Sequence, residues 1–427
     1  MVKIGESLAK RSAGCIFDPM DSLSQIVLGA ACGEVVLGRK VGNRAMFWGA
    51  VAGTIPDLDI IANLFTDPIT AMAMHRGISH SFFFAFTAPI LFGWLVSRFY
   101  STGIHQKKWF RRTKILFWLL LVWGAINGGL YRAGGQFSLP VFLWSSAGAL
   151  GLGLLLEWLY VRPEQSDVAV SWKSWAWLFF WAILTHPLLD SCTAYGTQLF
   201  QPFSDYRVAF DNISVVDPLY TLPFLLCLIG ASILTRRHPW RGRVNQLGLV
   251  LSCGYLLLTF FHKRRVNEVF EAALEREQIT YSRLITTPTI LNNLLWQGLA
   301  EGDTAFYYGQ YSLLDPEPVV RTITVFPKQW HLLDGHQDDK DIQTMKWFTD
   351  GLYNVTERPD GRLMFIHMKY GLMGPQADSS ANFVWFWMLE EKEDGSWTGR
   401  TAPEDRMFDA DDFRRFRERV FGNPAPD

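Results

Sequence analysis

The chain has 427 residues, of which 49% are hydrophobic, 15% aromatic and only 19% charged. Its 40 basic residues balance 41 acidic ones for a net charge of −1, which excludes a strongly basic nucleic-acid binder and an acidic disordered tail. Long apolar runs crowd the chain up to Phe261 and an ordinary charged composition follows Lys263, so a membrane region is joined to a water-exposed C-terminal domain.

Residues 1–19 read as a disordered, mildly basic extension that lacks the apolar core of a signal peptide. Apolar segments then follow at 22–37, 45–65, 81–96, 115–130, 139–161, 172–189, 215–234 and 244–261. The first is rich in Gly and Ala, and the second carries Asp57 and Asp59. About 20 apolar residues cross a bilayer, so the last six segments are expected to span it, with the first two short or interrupted. The expected fold is a mainly α polytopic membrane protein of about six to eight membrane helices over residues 20–262. Gly29 and Gly33, like Gly49 and Gly53, stand four apart, a spacing that lets apolar helices approach closely. The five cysteines form no CxxC pair and read as small core residues.

Residues 263–427 read as a soluble α+β domain. A charged helical stretch covers 264–278, strands are predicted at 321–326, 362–368 and 383–389, and helices at 340–350 and 411–420. His331, His336, Asp338 and Asp339 read as a solvated loop.

Lys and Arg in short loops set orientation. If the segments alternate, Arg39, Lys40 and Arg44, the 98–114 loop, and Arg236, Arg237, Arg241 and Arg243 share one face, which should be cytoplasmic. The C-terminal domain then lies on the outer face, and the Lys263-Arg264-Arg265 cluster breaks the rule locally.

Ionisable groups at the ends of membrane helices need a reason. Four sets occur: Asp21-Ser22-Leu23-Ser24-Gln25, Pro56-Asp57-Leu58-Asp59, His75-Arg76-Gly77-Ile78-Ser79-His80-Ser81, and His186-Pro187-Leu188-Leu189-Asp190. Alternation brings all four to the outer face. His186 and Asp190, at i and i+4, share a helix face and suit one metal ion. Imidazoles and carboxylates together suit zinc, manganese or iron. Each group alone also fits a structural role: Asp57 and Asp59 as helix-end caps, Asp190 as a partner of Arg76, His80 as a packing residue. Their convergence favours a site. The guanidinium of Arg76 matches an anionic oxygen.

These motifs together resemble the membrane-bound metal-dependent hydrolases, bacterial inner-membrane proteins described as LexA-regulated or LexA-binding. The resemblance covers residues 20–234. That family is similar in ligand pattern to the zinc-dependent phospholipase C and P1-nuclease group. The resemblance implies Asp59, His80, His186 and Asp190 as the first metal ligands, with Asp57 and His75 next; Asp57 and Arg76 are the catalytic candidates. Many members carry His where Gln25 stands, so a ligand is missing there or replaced by an amide oxygen; Gln25, with Arg207 in the 195–220 stretch, is the candidate for substrate binding. The further His-x-x-x-Glu helix of the phospholipase group is not evident, so one or two ions are expected, zinc first. The implied function is hydrolysis of a phosphoester in a membrane lipid or lipid-linked substrate by a metal-activated water. The implied location is the bacterial inner membrane, multi-pass, with the site and C-terminal domain on the periplasmic face. The alternatives are a metal- or proton-handling transporter and a non-catalytic membrane scaffold. The sequence shows no nucleic-acid surface and does not fix the oligomeric state.

Overall fold

The computed structural model describes residues 18–134, 145–148, 151, 170–372, 383–400 and 410–422. They form a helical N-terminal region and a C-terminal domain of two β-sheets. Two compact units divide the chain, 1–89 with 178–427 and 90–177. The N-terminal extension expected over 1–19 lies outside the described residues except for its end, where the first helix already begins.

In the first unit, α1 (Asp18–Val41) and α2 (Asn43–Thr54) form a tight hairpin. A Cβ on Gly29 or Gly49 would strike the other helix's backbone, so the glycines remove the side chains that would hold α1 and α2 apart. Pro56 then breaks the helix. A 3-10 segment, Pro56–Leu64, leaves α2 at 48°. The short α3 (Pro68–Met74) follows, capped by Asp67, whose carboxylate accepts from the Thr70 N–H at 2.8 Å. Next come α4 (Phe82–Ser101), α5 (Lys108–Gly134), α6 (Trp172–Asp190), α7 (Pro218–Ile233) and α8 (Pro239–Arg276). Helices α1, α6, α7 and α8 meet through Leu28, Leu189, Tyr220 and Tyr255. In the second unit Tyr100 stacks on Trp175 at 5.5 Å, and the Trp123 indole donates to Ser146 at 3.1 Å.

Among the described residues α4 and α8 are long and apolar enough to cross a membrane, and α2 with the bent 3-10 segment makes a third candidate. The expected six to eight spans are therefore not supported. Helix α7 has only 16 residues. Helix α1 carries Glu34, Arg39 and Lys40 along its length, and α6 mixes Trp with Lys173, His186 and Asp190. The segment expected at 139–161 lies mostly outside the described residues.

Helix α8 does not stop where the apolar run ends. It continues through the charged 264–276 stretch and becomes the first layer of the C-terminal domain. Sheet one is antiparallel in the order β1 (Arg283–Pro288), β2 (Leu295–Glu301), β3 (Ala305–Ser312), β4 (Ile323–Pro327). Sheet two is antiparallel in the order β5 (Tyr353–Glu357), β6 (Leu363–His367), β7 (Phe386–Glu391), β8 (Trp397–Arg400). Helices α9 (Lys340–Phe348) and α10 (Ala410–Val420) complete it. Val266, Val269 and Phe270 of α8 pack on sheet one around Trp296 and Tyr311. The ring of Phe270 sits over Gly298 and Gly309, which face each other across β2 and β3. Leu299, Phe306, Met364, Ile366 and Met388 form the core between the sheets. The other face of sheet two, with Phe365 and Trp387, packs on α9 and on Ile69 of α3. Burial of these large apolar chains is the main stabilising term, about 1.5–3 kcal/mol each. Because Ile69 is one of them, the C-terminal domain is anchored directly to the segment that leads into the 75–81 motif.

Candidate metal centre

Four motif residues from three chain segments converge. Asp57 lies just past Pro56 in the 3-10 segment, His80 in a short 3-10 turn (Ile78–His80) before α4, and His186 and Asp190 on the last turns of α6. One potential donor atom from each lies within 4.8 Å of the others. The Nε2 atoms of His80 and His186 are 3.1 Å apart. Asp57 Oδ1 is 3.4 Å from the first and 3.3 Å from the second. Asp190 Oδ2 is 3.3 and 3.4 Å from the same two atoms. Zinc bonds of about 2.0–2.1 Å at tetrahedral angles separate neighbouring donors by about 3.3 Å, close to these five of the six donor separations in the four-residue cage; the sixth, between the two carboxylates, is within 4.8 Å. Asp190 Oδ2 is buried and makes no hydrogen bond, and it faces both imidazoles and the Arg76 guanidinium, a setting that favours its charged form.

The surrounding contacts aim the four donors inward. His186 Nδ1 donates to the Gly53 carbonyl at 2.6 Å, which leaves Nε2 facing the cage. That carbonyl is in the last turn of α2, where the break at Pro56 removes the next helical donors. His80 Nδ1 faces Asp59 Oδ2 at 3.3 Å and Ser79 Oγ at 3.0 Å, so its Nε2 also points inward. Asp59 in turn accepts from Ser79 Oγ at 3.1 Å, from the Arg76 N–H at 3.0 Å, and from His75 Nδ1 at 2.8 Å. A carboxylate behind a ligating histidine is the usual way a metal site fixes ring orientation. Arg76 has φ +56, the left-handed region, which turns the chain sharply between α3 and His80.

The geometry thus orders the expected residues differently. Asp57, expected as catalytic and as a ligand of second rank, stands in the four-residue group, whereas Asp59, expected as a first-rank ligand, and His75 form a hydrogen-bonded pair behind His80. Arg76 is buried and held by Asp190. Its Nε is 3.3 Å from Asp190 Oδ2, and its Nη1 donates to the Asp190 carbonyl at 3.3 Å and to Thr193 Oγ1 at 2.8 Å. Gln25, expected near substrate, donates its amide to Asp190 Oδ1 at 2.8 Å and to the His186 carbonyl at 3.2 Å. Arg207 stands outside the group. It lies over the rings of Phe348 (4.1 Å) and Tyr195 (5.0 Å) and donates to the Phe348 and Tyr195 carbonyls. Arg76 lies 4.9 Å from the same Tyr195 ring. Burial lowers the Arg207 pKa.

Sequence reasoning missed Thr193, Tyr195 and the Gly53 carbonyl as supports. Nearness to the 186–190 motif pointed to Thr193, and Tyr195 opens the 195–220 stretch already placed beside the site, without a role of its own. Asp217 caps α7 by accepting from the Leu219 N–H at 3.0 Å, and takes the Tyr255 hydroxyl at 2.7 Å. His336 stacks on Trp397 at 4.0 Å and meets Asp339 at 3.0 Å.

A family model described as YdjM inner membrane protein matches residues 20–131 and 141–266, more than half of the chain. The match includes all four residues of the group. Among curated proteins the chain is similar to the inner membrane protein YbcI of Escherichia coli (strain K12), with 26% identity over 168 residues, 34% of this chain and 85% of that protein. No solved structure matches. Both descriptions name a membrane and neither names a reaction.

Proposed function

The chain belongs to the YdjM inner membrane protein family, and from that premise we propose that it is a metal-dependent hydrolase of the bacterial inner membrane, cleaving a phosphoester of a lipid or lipid-linked substrate. The observation that carries this reading is the convergence of Asp57 with the buried His80, His186 and Asp190, five of whose six donor separations are 3.1–3.4 Å. Two imidazoles and two carboxylates suit zinc first, and manganese or iron next. A bound divalent ion supplies Lewis acidity that brings the pKa of a water toward neutrality.

The chain's own groups do the rest. Asp59 and the Gly53 carbonyl hold the two imidazoles in orientation, and Gln25 and Arg76 hold Asp190. Arg76 also places a buried positive charge beside the group, where it favours an anionic oxygen. A membrane location and a site next to the first turn of α4 favour a lipid or lipid-linked phosphoester over a soluble one.

The test is elemental mass spectrometry of detergent-purified protein, wild type beside His186→Ala and Asp190→Ala. We expect close to one zinc, manganese or iron per chain in the wild type and loss in both variants with helix content retained. Release of phosphate or headgroup from phospholipid in nanodiscs is then expected only from the metal-loaded wild type. No bound ion after reconstitution with each metal would sink the reading, and bound ion without turnover on any phosphoester would leave a metal-binding scaffold.

A further inference from the structure

Three of the four residues in the cage are sealed. The side chains of His80 and His186 are 0% exposed and that of Asp190 is 1% exposed, against 26% for Asp57. Asp57 is therefore the side from which the group can be approached. It lies at the 48° break between α2 and the 3-10 segment, in a helix pair apolar enough to count as one bent span or a re-entrant loop. Immediately after it the chain turns large apolar side chains outward: Leu58, Ile60, Ile61, Leu64 and Phe65 are all exposed, Phe65 by 81%. Scattered exposed apolar residues are ordinary, but a run of this kind beside a polar site marks contact with another apolar phase.

A second segment does the same at the same place. The candidate span α4 starts two residues after His80, and the Phe82 N–H donates to the Leu199 carbonyl at 2.9 Å. The Phe82 ring meets Phe200 at 6.0 Å, and the loop beyond exposes Phe200, Phe203 and Tyr206. Outward aromatics at the end of a span are characteristic of the membrane–water boundary.

We propose that the break at Pro56 opens the site sideways to the bilayer. The 58–65 segment lies in the hydrocarbon just below the headgroups, and the substrate is a membrane lipid that reaches Asp57 laterally, its acyl chains running along that segment. The chemistry rests on the metal-site reading above. The lateral route rests on the exposure pattern and the bend. Continuity of the segment with α2, and contact of the 199–206 loop with the first residue of α4, selects the bilayer rather than a protein partner as its occupant.

The test uses the full chain in nanodiscs of phosphatidylethanolamine and phosphatidylglycerol, with Cys15→Ser and Cys253→Ser to clear labelling sites. A nitroxide is attached after Ile61→Cys or, as a control in the β7–β8 turn, Glu393→Cys, and its collisions with oxygen and with a nickel chelate are compared. The oxygen-to-nickel ratio should be several-fold higher at position 61 than at 393, with metal content equal in both. Nickel access at position 61 with metal retained would overturn the lateral route and leave the metal site standing. A label shielded from both reagents would mean that protein covers the segment, and would also overturn it. Oxygen access without bound metal would keep the segment in lipid but remove the lipid's role as substrate.

Discussion

At the scale of single residues, the cage depends on groups that do not themselves belong to it. Asp59 is the clearest. Its carboxylate collects donors from His75, Ser79 and the Arg76 backbone and faces the outer ring nitrogen of His80, Nδ1. Removing its charge while keeping its shape should loosen the hold on that ring. Asp59→Asn should weaken metal affinity by about 10–100-fold, the usual cost of losing a carboxylate behind a histidine ligand. Chelator competition would measure it, with helix content checked alongside. Unchanged affinity would mean that Asp59 does not orient His80. A substitution at the exposed Asp205 should leave affinity as it is. Gln25 shows how a residue's chemistry can be legible while its role is not. An amide at this position reads as a weak ligand or a substrate contact, yet here its N–H groups tie Asp190 to α1.

At the scale of elements, the site exists because helices stop at the right places. Pro56 ends α2 and frees the Gly53 carbonyl for His186, the left-handed Arg76 turns the chain before His80, and α6 ends at Asp190. These breaks were legible because Pro, Gly and ionisable groups interrupt apolar runs there. The close α1–α2 hairpin was legible in its paired glycines for the same reason. The number of spans was not, since a helix such as α6 packs Trp and Lys with its apolar residues and length alone does not separate embedded from crossing helices. Strands β1 to β3 were missed because they are buried on both faces, which removes the period-two alternation, and because Gly298 and Gly309 read as breakers when they are seats for Phe270. Arg241 was read as a loop charge, but it is buried and forms a two-point ion pair with Glu34 of α1 at 2.6 and 2.7 Å. Glu34→Ala would leave that guanidinium buried without its partner, which costs about 3–5 kcal/mol in comparable cases. The variant should unfold at markedly lower temperature in detergent, and Glu34→Ala with Arg241→Met should recover much of the loss. A melting temperature equal to wild type would show the pair to be open to water.

At the scale of the whole molecule, the ion pair also marks one end of the bundle. Arg236 donates to the Lys40 carbonyl at 2.9 Å, so the basic α1–α2 and α7–α8 connections lie together there. Helix α8 starts at that end and has 38 residues, about 57 Å at the helical rise, against about 30 Å for the hydrocarbon layer. If α8 crosses the bilayer, its far end, which forms a layer of the C-terminal domain, lies on the opposite side. On α1, Gln25 reaches the cage while Arg39 and Lys40 lie at the basic end, so a crossing α8 would put the site on the domain's side. This argument needs no count of spans. The Lys263-Arg264-Arg265 cluster, which contradicted the charge rule in sequence, is answered by neighbouring acids: Lys263 meets Asp211 at 3.7 Å, and Arg264 and Arg265 meet Glu268 at 3.3 and 3.7 Å. Asp211 also binds Lys369 at 2.7 Å, which ties the loop after Arg207 to the C-terminal domain. Since Lys and Arg in short loops face the cytoplasm, the basic end should be inside and both the cage and the C-terminal domain in the periplasm. Alkaline phosphatase fused to the C-terminus, which folds only outside the cytoplasm, should be active, and a green fluorescent protein fused there through the general secretion route should be dark. The reverse pattern would invert the molecule, and the lipid reaching Asp57 would then come from the inner leaflet.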